Sequence, residues 1–308
     1  MCPPDHFTVE YAINPWMDIS VAVDAALALK QWQILRETLT DLGHAVHVRH
    51  AEVAFEAGLH LLTEKPIAAS MDDARRMVKL AKDADRVLMV AQNYRYSPAA
   101  QTLIRLMREK PLGQLGHGHI DFYIPADFPG SFRETMPHVL LVDMAIHHLD
   151  LVRAVTGRNI TRVTAQSFKT PWSWYRDGPG LKMLMTLDGG VPFSYSGDWT
   201  GRGRLTTWNG AWRLQCEHGC IELLHDGTIR LTRSDKWENG VVAETVPPDD
   251  IPENYTHALM TRFIEACRTN TPPDTSGADN LWSFAAVQAG VRSAESSTSV
   301  DVTDLLRA

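Results

Sequence analysis

The sequence predicts an α/β protein in two parts: a short parallel sheet with helices, followed by an open, mainly antiparallel sheet with helices. Up to residue 109, segments with strand character alternate with segments of helical character, which is typical of a parallel sheet. From residue 161 to about residue 246, apolar residues recur mostly with a period of two, which is typical of antiparallel strands. We therefore predict a domain boundary near residue 112, between 49–111 and 112–308.

Local signals define the elements of the first part. Ser70 precedes a run with helical period and has Asp73 three residues later, which predicts a capped helix start. Residues 87–91 form a continuous apolar run, as expected of a strand that is covered on both faces. Pro98 stands at the first position of another helix. The predicted strands of this part are 7–14, 45–49, 59–63 and 87–91, and the predicted helices are 22–41, 51–57, 71–85 and 98–109.

The second part combines helices with the antiparallel sheet. Glycine-containing turns at 188–190, 218–219 and 226–227 divide the region of period two into strands. The other predicted elements are a strand over 115–123 and helices over 137–155, 254–269 and 279–295.

Composition narrows the class of protein. The chain has 308 residues, enough for two domains with a core each. Its net charge of −7 argues against nucleic acids and anionic membranes as partners. No apolar run reaches the roughly 18–20 residues that span a bilayer, and the first residues do not resemble a secretory signal. The four scattered cysteines favour free thiols and a cytoplasmic location.

The first candidate motif is Glu64-Lys65-Pro66, directly after the predicted strand 59–63. Ligands of parallel α/β sheets bind beyond the carboxyl ends of the strands, so Lys65 could reach a ligand there. The alternative is a surface lysine before a loop.

The second candidate motif is the pair Asp143 and His147, four residues apart in the predicted helix 137–155. This spacing places both side chains on one helix face, where a carboxylate could orient an imidazole that acts as a base. A structural ion pair is the alternative. Metal binding by His147, His148 and Asp150 is disfavoured, because adjacent histidines on a helix point about 100° apart.

The third candidate motif is Gln92-Asn93-Tyr94-Arg95-Tyr96, directly after the apolar run 87–91. These polar and aromatic groups would suit a nucleotide or a polar substrate at the end of a strand. A solvated loop is the alternative. His117 and His119 share one face of the predicted strand 115–123, but no third ligand for a metal accompanies them.

The ordered combination of these motifs resembles the glucose–fructose oxidoreductase / inositol dehydrogenase / MocA (Gfo/Idh/MocA) family over residues 50–308. The resemblance is carried by EAGLHLLTEKPIA (56–68), AQNYRYSP (91–98), DMAIHHLDLVRAVTG (143–157) and TPPDTSG (271–277). It implies a Rossmann-like domain, here truncated, followed by an open antiparallel sheet domain. It also implies hydride transfer between NAD or NADP and a sugar, cyclitol or similar polyol.

The resemblance also implies roles for individual residues. The matched catalytic positions are Lys65, Asp143 and His147, and the predicted cofactor-binding residues are Glu64, Lys65, Pro66, Asn93 and Arg95. His147 would be the general base, Asp143 would orient it or bind the substrate, and Lys65 would stabilise the substrate oxygen.

Relatives in the family pair through the open sheet, so a homo-oligomer is predicted. A tryptophan-rich region could form that interface, with packing under the helices as the alternative: Trp199, Trp208 and Trp212.

The start of the chain departs from the family pattern. Its first glycine is Gly43, and no G-x-G-x-x-G turn that could cradle a pyrophosphate occurs anywhere in it. Residues 1–48 instead resemble the start of dimethylarginine dimethylaminohydrolases and related amidinotransferase-like proteins. We therefore predict a foreign or replaced segment over 1–48 and an impaired oxidoreductase. The alternative is a non-catalytic remnant that binds a ligand or self-associates.

Overall fold

The computed structural model of the protein describes Lys30 and residues 51–234, 242–251 and 255–307. The predicted strands 7–14 and 45–49 therefore lie outside the described residues, as does the predicted helix 22–41 apart from the helical Lys30.

The first part of the chain forms a small parallel sheet with helices, as predicted. Strands β1 and β2 pair in parallel, with Thr63 opposite Val90 at their carboxyl ends. The elements are α1 (Ala51–Glu56), β1 (Leu61–Thr63), α2 (Met71–Asp83), β2 (Leu88–Val90), a 3₁₀ turn (Asn93–Tyr96) and α3 (Pro98–Glu109).

Two helix starts follow the predicted capping signals. The Ser70 Oγ accepts a hydrogen bond from the Asp73 amide at 3.1 Å. At the start of α3, the Ser97 Oγ accepts from the Ala100 amide at 3.2 Å, and Pro98 lies in the first turn. These bonds satisfy amides that lack a partner within the helix. The predicted starts of α2 and α3 are therefore confirmed.

The short strand β2 is covered on both faces, which confirms the prediction from its apolar run. Leu88 and Val90 belong to the main hydrophobic cluster. Met89 and its neighbours on the opposite face belong to a second cluster with Ala258 and Leu259 of helix α5 (Tyr255–Thr269). The sheet edge beyond Val90 is thereby held between helices.

The second part is a nine-stranded sheet in the order β10-β9-β8-β7-β3-β6-β5-β4-β11. Among these described strands only β3 and β6 pair in parallel, and all other neighbours are antiparallel. The strands are β3 (Leu115–Tyr123), β4 (Ile160–Phe168), β5 (Gly180–Leu187), β6 (Val191–Asp198), β7 (Ala211–Cys216), β8 (Gly219–Leu223), β9 (Ile229–Arg233), β10 (Val242–Val246) and β11 (Val300–Asp301).

Helices pack on one face of this sheet. They are α4 (Ile146–Thr156), α6 (Gly277–Ser296) and α7 (Val302–Arg307), and Leu149 and Val152 of α4 are fully buried. Trp199 and Trp212 are 1% and 3% exposed, so they pack inside the protein. Of the two alternatives left open for these tryptophans, the exposed interface is therefore excluded for Trp199 and Trp212.

The predicted helix 137–155 differs from the observed structure at its start. A π-helical turn, Leu140–Ala145, precedes α4. The Leu140 amide donates to the carbonyl of Gly178 at 3.1 Å, a contact with a distant loop. A pattern of apolar residues does not distinguish such a widened turn from a regular helix, and such turns are frequent at functional sites.

The two parts share one hydrophobic core. Leu112 at the predicted boundary is fully buried, in a cluster that joins Val90 and Leu103 to the large sheet. The boundary near residue 112 stays a prediction. Within the residues that the structure describes, no helix is long and apolar enough to cross a membrane.

Candidate active site

Lys65 and Asp143 meet where β1 ends. The Lys65 Nζ donates to the Asp143 carbonyl oxygen at 2.7 Å and to its Oδ1 at 3.0 Å. Both side chains are largely buried, at 16% and 12% exposure. These bonds join two residues from separate predicted motifs. Lys65 follows a strand of the parallel sheet, and Asp143 lies in the π-helical turn.

Asp143 holds a second cation that sequence reasoning missed. The Arg133 Nε donates to the Asp143 Oδ2 at 2.5 Å. Burial alone would raise the pKa of the Asp143 carboxyl, but the charges and hydrogen bonds of Lys65 and Arg133 outweigh it and hold this pKa below its usual value. Asp143 is therefore an ionised carboxylate at neutral pH.

His147 lies in the first turn of α4 and is 7% exposed. Burial is the main cause that lowers its pKa well below the usual value, and the charge of Lys65 and the neighbouring His148 add to it. The imidazole is therefore neutral near pH 7 and can accept a proton.

The His147 ring is positioned by an aromatic contact. The Tyr94 ring stacks on it with centroids 4.4 Å apart and planes inclined by 23°. Burial, and then the neighbouring Tyr255 and Asp143, raise the pKa of Tyr94, so its hydroxyl stays protonated. The motif 92–96 was predicted to offer polar and aromatic groups to a ligand, whereas the Tyr94 ring contacts the His147 side chain of the protein itself.

The Asp143 carboxylate binds Lys65 and Arg133, and not the His147 imidazole as predicted. Both Asp143 carboxylate oxygens bind cations, and the His147 Nδ1 is buried without a hydrogen-bond partner in the described part of the chain. Asp143 therefore orients Lys65 rather than the imidazole through these bonds. The spacing rule missed this because the π-helical turn changes the direction of Asp143 and because Arg133 lies outside the helix.

His148 is fully buried and makes its hydrogen bonds inside the protein. Its Nε2 donates to the Trp208 carbonyl at 2.9 Å, and its Nδ1 accepts from the Tyr195 hydroxyl at 3.0 Å. Burial lowers the pKa of His148 to about 4. No group of histidine, cysteine and acidic side chains suited to a metal occurs among the described residues.

Other predicted site residues surround the ends of β1 and β2. Glu64 and Pro66 are exposed and Asn93 is partly buried. The Glu64 carboxylate accepts from the Lys65 amide at 3.3 Å. Since the Ala91 amide donates to the Thr63 carbonyl at 2.8 Å, both chain segments leave the sheet at one edge, where ligands of such sheets bind.

Arg95 is placed away from solvent. Its guanidinium donates to the Asp150 carboxylate at 2.6 and 2.7 Å, to Asp279 at 2.8 Å and to the Asp274 carbonyl at 2.7 Å. The side chain is 8% exposed. These contacts bind the end of β2 to α4 and α6, and the predicted cofactor role of Arg95 stays a prediction.

Curated relatives of the chain include sugar dehydrogenases. The D-apiose dehydrogenase of Paraburkholderia graminis is 26% identical over 268 residues, covering 84% of this chain and 71% of the relative. A separate match of 46 residues is 52% identical to N(G),N(G)-dimethylarginine dimethylaminohydrolase of Mycobacterium tuberculosis and covers 15% of each chain. The likeness to that hydrolase is therefore small and partial.

Solved structures share the fold. An oxidoreductase from Agrobacterium radiobacter in complex with NAD⁺, L-tartaric acid and magnesium has a TM-score of 0.73 at 21% identity, covering 83% of this chain and 76% of that one. A levoglucosan dehydrogenase in complex with NADH and levoglucosan has a TM-score of 0.69 at 20% identity, covering 82% and 76%. They support a Rossmann-like domain joined to a mainly antiparallel sheet domain.

Two family models match consecutive parts of the chain. Residues 20–92 match an oxidoreductase family with an NAD-binding Rossmann fold, and residues 100–222 match the GFO/IDH/MocA C-terminal domain. The first match begins inside the predicted foreign segment 1–48, whose extent stays a prediction. Together the matches cover more than half of the chain, which therefore belongs to the Gfo/Idh/MocA family of NAD-binding oxidoreductases.

Proposed function

We propose that this chain transfers a hydride between NAD or NADP and a hydroxyl-bearing carbon of a sugar, cyclitol or similar polyol. The observation that carries the proposal is the grouping of Lys65, Asp143 and a neutral, buried His147 beside the carboxyl end of β1. The D-apiose dehydrogenase and levoglucosan dehydrogenase among the relatives and structural neighbours support this substrate class.

The residues divide the chemistry of alcohol oxidation between them. His147 takes the hydroxyl proton as general base. Lys65 uses two of its three N–H donors on Asp143, and its third donor stabilises the negative charge that develops on the substrate oxygen. The hydride acceptor would be supplied by a bound nicotinamide cofactor.

The edge of the parallel sheet suits the nicotinamide end of such a cofactor. Glu64, Lys65 and Asn93 leave two strands that end side by side at the pair Thr63 and Val90. Polar groups from adjacent strand ends are the usual surroundings of a dinucleotide in this fold. These side chains would hold that end of the cofactor.

The sequence offers less support for binding the pyrophosphate of the cofactor than for binding its nicotinamide. The sequence contains no G-x-G-x-x-G motif, whose backbone amides bind the phosphates in Rossmann domains. We propose that the chain binds the cofactor more weakly than a family member that has this turn, and that its turnover is impaired accordingly.

A second candidate function is self-association by a non-catalytic remnant. The face of the large sheet opposite the helices carries exposed side chains, including Leu184, which is 66% exposed, and Lys182. We propose that a second copy of the chain occupies this face in either function.

Thermal unfolding with millimolar NAD⁺ or NADP⁺ tests the proposal. A ligand present at about 100 times its Kd adds about 2.7 kcal/mol to the stability of the folded state, so one nucleotide should raise the unfolding midpoint. Turnover is then measured with a panel of polyols. Lys65→Ala and His147→Ala should abolish it, with a loss of about 10²–10⁴-fold for the base.

Two results would contradict the proposed catalysis. A cooperative transition that neither nucleotide moves would favour the non-catalytic remnant. Turnover that survives the double substitution of Lys65 and His147 would remove both residues from the mechanism.

A further inference from the structure

We propose that Arg133 is a positioning residue of this site: it holds the Asp143 carboxylate from the side opposite Lys65 and thereby fixes the direction of the Lys65 ammonium. The inference rests on the proposed function and assigns a residue that neither the motifs nor the family resemblance indicated.

The first argument is the division of the Asp143 carboxylate between two cations. Lys65 binds Oδ1 at 3.0 Å and Arg133 binds Oδ2 at 2.5 Å. With one cation on each oxygen, the carboxylate cannot rotate without breaking an ion pair. The Lys65 ammonium is also bound to the main-chain carbonyl of Asp143 at 2.7 Å, so the orientation of this residue decides where the ammonium points.

The second argument is that Arg133 is itself held in place. Its Cζ lies 4.8 Å from the centroid of the Phe128 ring and 4.6 Å from that of Phe132. Its amide donates to the Ser131 Oγ at 3.2 Å, at the start of a 3₁₀ turn. A planar guanidinium that stacks on aromatic rings and directs its Nε to a carboxylate cannot be replaced by a flexible ammonium.

The third argument is electrostatic. Arg133 contributes to the lowered pKa of Asp143 through a hydrogen bond and its charge. Lys65 also lowers the pKa of Asp143. The charge of Asp143 in turn raises the pKa values of Tyr94 and Tyr175. Without Arg133 the carboxyl would keep one cation of two and would become protonated at a higher pH.

The test compares Arg133→Gln and Arg133→Lys with the wild-type protein. For both variants we expect kcat to fall by about 10- to 100-fold, the scale expected when a catalytic group is misplaced by about 1 Å, while KM changes little. For Arg133→Gln the acidic limb of the pH profile should move to higher pH. Methylguanidinium added to Arg133→Ala should restore part of the lost kcat.

Arg202→Gln is the matched control. Arg202 is also an arginine on an aromatic ring, with its Cζ 5.2 Å from the Trp172 centroid, but it is exposed. Its substitution should leave kcat and the pH profile unchanged. Unfolding midpoints of all variants identify any that fail to fold.

A second readout is independent of turnover. The rate at which acetic anhydride acetylates Lys65, measured by peptide mass spectrometry, should rise in Arg133→Gln and stay at the wild-type value in Arg202→Gln. If the wild-type protein turns over no polyol but this difference is found, the proposed function fails and the positioning role stands. Wild-type kcat, pH profile and acetylation rate in Arg133→Gln would overturn the inference.

Discussion

Replacing Arg95 by leucine should lower the free energy of unfolding by about 3 kcal/mol. Asp150 is 1% exposed and receives two hydrogen bonds from Arg95. Removing one partner of a buried ion pair costs about 3–5 kcal/mol, because a charge is left without compensation in a medium of low polarity.

The remaining contacts of the acidic partners set the expected value at the lower end of this range. Asp150 would keep the Ser283 hydroxyl at 2.7 Å and Arg153 at 3.9 Å. Asp279 would keep its ion pair with Arg153, in which the Arg153 Nη2 lies 2.7 Å from the Asp279 Oδ1.

Urea denaturation of the two proteins, with equal m-values, measures the difference directly. Arg76→Leu is the control, since Arg76 pairs with Glu52 at 2.7 Å but the two side chains are 66% and 52% exposed. Exposed pairs contribute at most about 1 kcal/mol. Equal losses in the Arg95 and Arg76 variants would refute the reasoning, because burial would then make no difference to the strength of the ion pair.

Three further predictions concern the base, a turn and the open sheet. Because the pKa values of His147 and Asp143 are both lowered, kcat/KM for oxidation should be constant around neutral pH and should fall as acid protonates the imidazole or the carboxylate. A fall beginning above pH 7 would contradict this assignment. Gly219→Ala should lower the free energy of unfolding in urea by about 1–3 kcal/mol. The φ of Gly219 is +145°, and the new Cβ would lie 1.9 Å from the Thr232 carbonyl oxygen. An unchanged urea midpoint would show that the hairpin accommodates the methyl group. Leu184→Arg should weaken self-association in light scattering without lowering the unfolding midpoint, and a dimer of unchanged affinity would place the interface elsewhere.

Local signals in the sequence predicted the elements with strong caps. Helix α3 was predicted over 98–109 and is observed as Pro98–Glu109, because proline and a capping serine at a helix start act within one turn. The grouping of Lys65 with Asp143 was implied by the family resemblance alone, because Asp143 lies in a helical turn and not at a strand end.

The rest depends on contacts between distant segments. Arg133 is recognisable as a site residue only once its loop is folded against Asp143. The burial of Trp199 and the ion pairs of Arg95 are likewise set by elements far along the chain. Apolar periodicity carries no information about these partners, so the sequence does not predict these contacts.

The stacking of Tyr94 on His147 has a consequence for how the site can open. Its neighbour Arg95 is bound to Asp150 on α4, the helix that also carries His147. Two consecutive residues thus fasten α4 to the end of β2, so α4 and this strand end cannot separate without breaking the ring contact and the buried ion pair together.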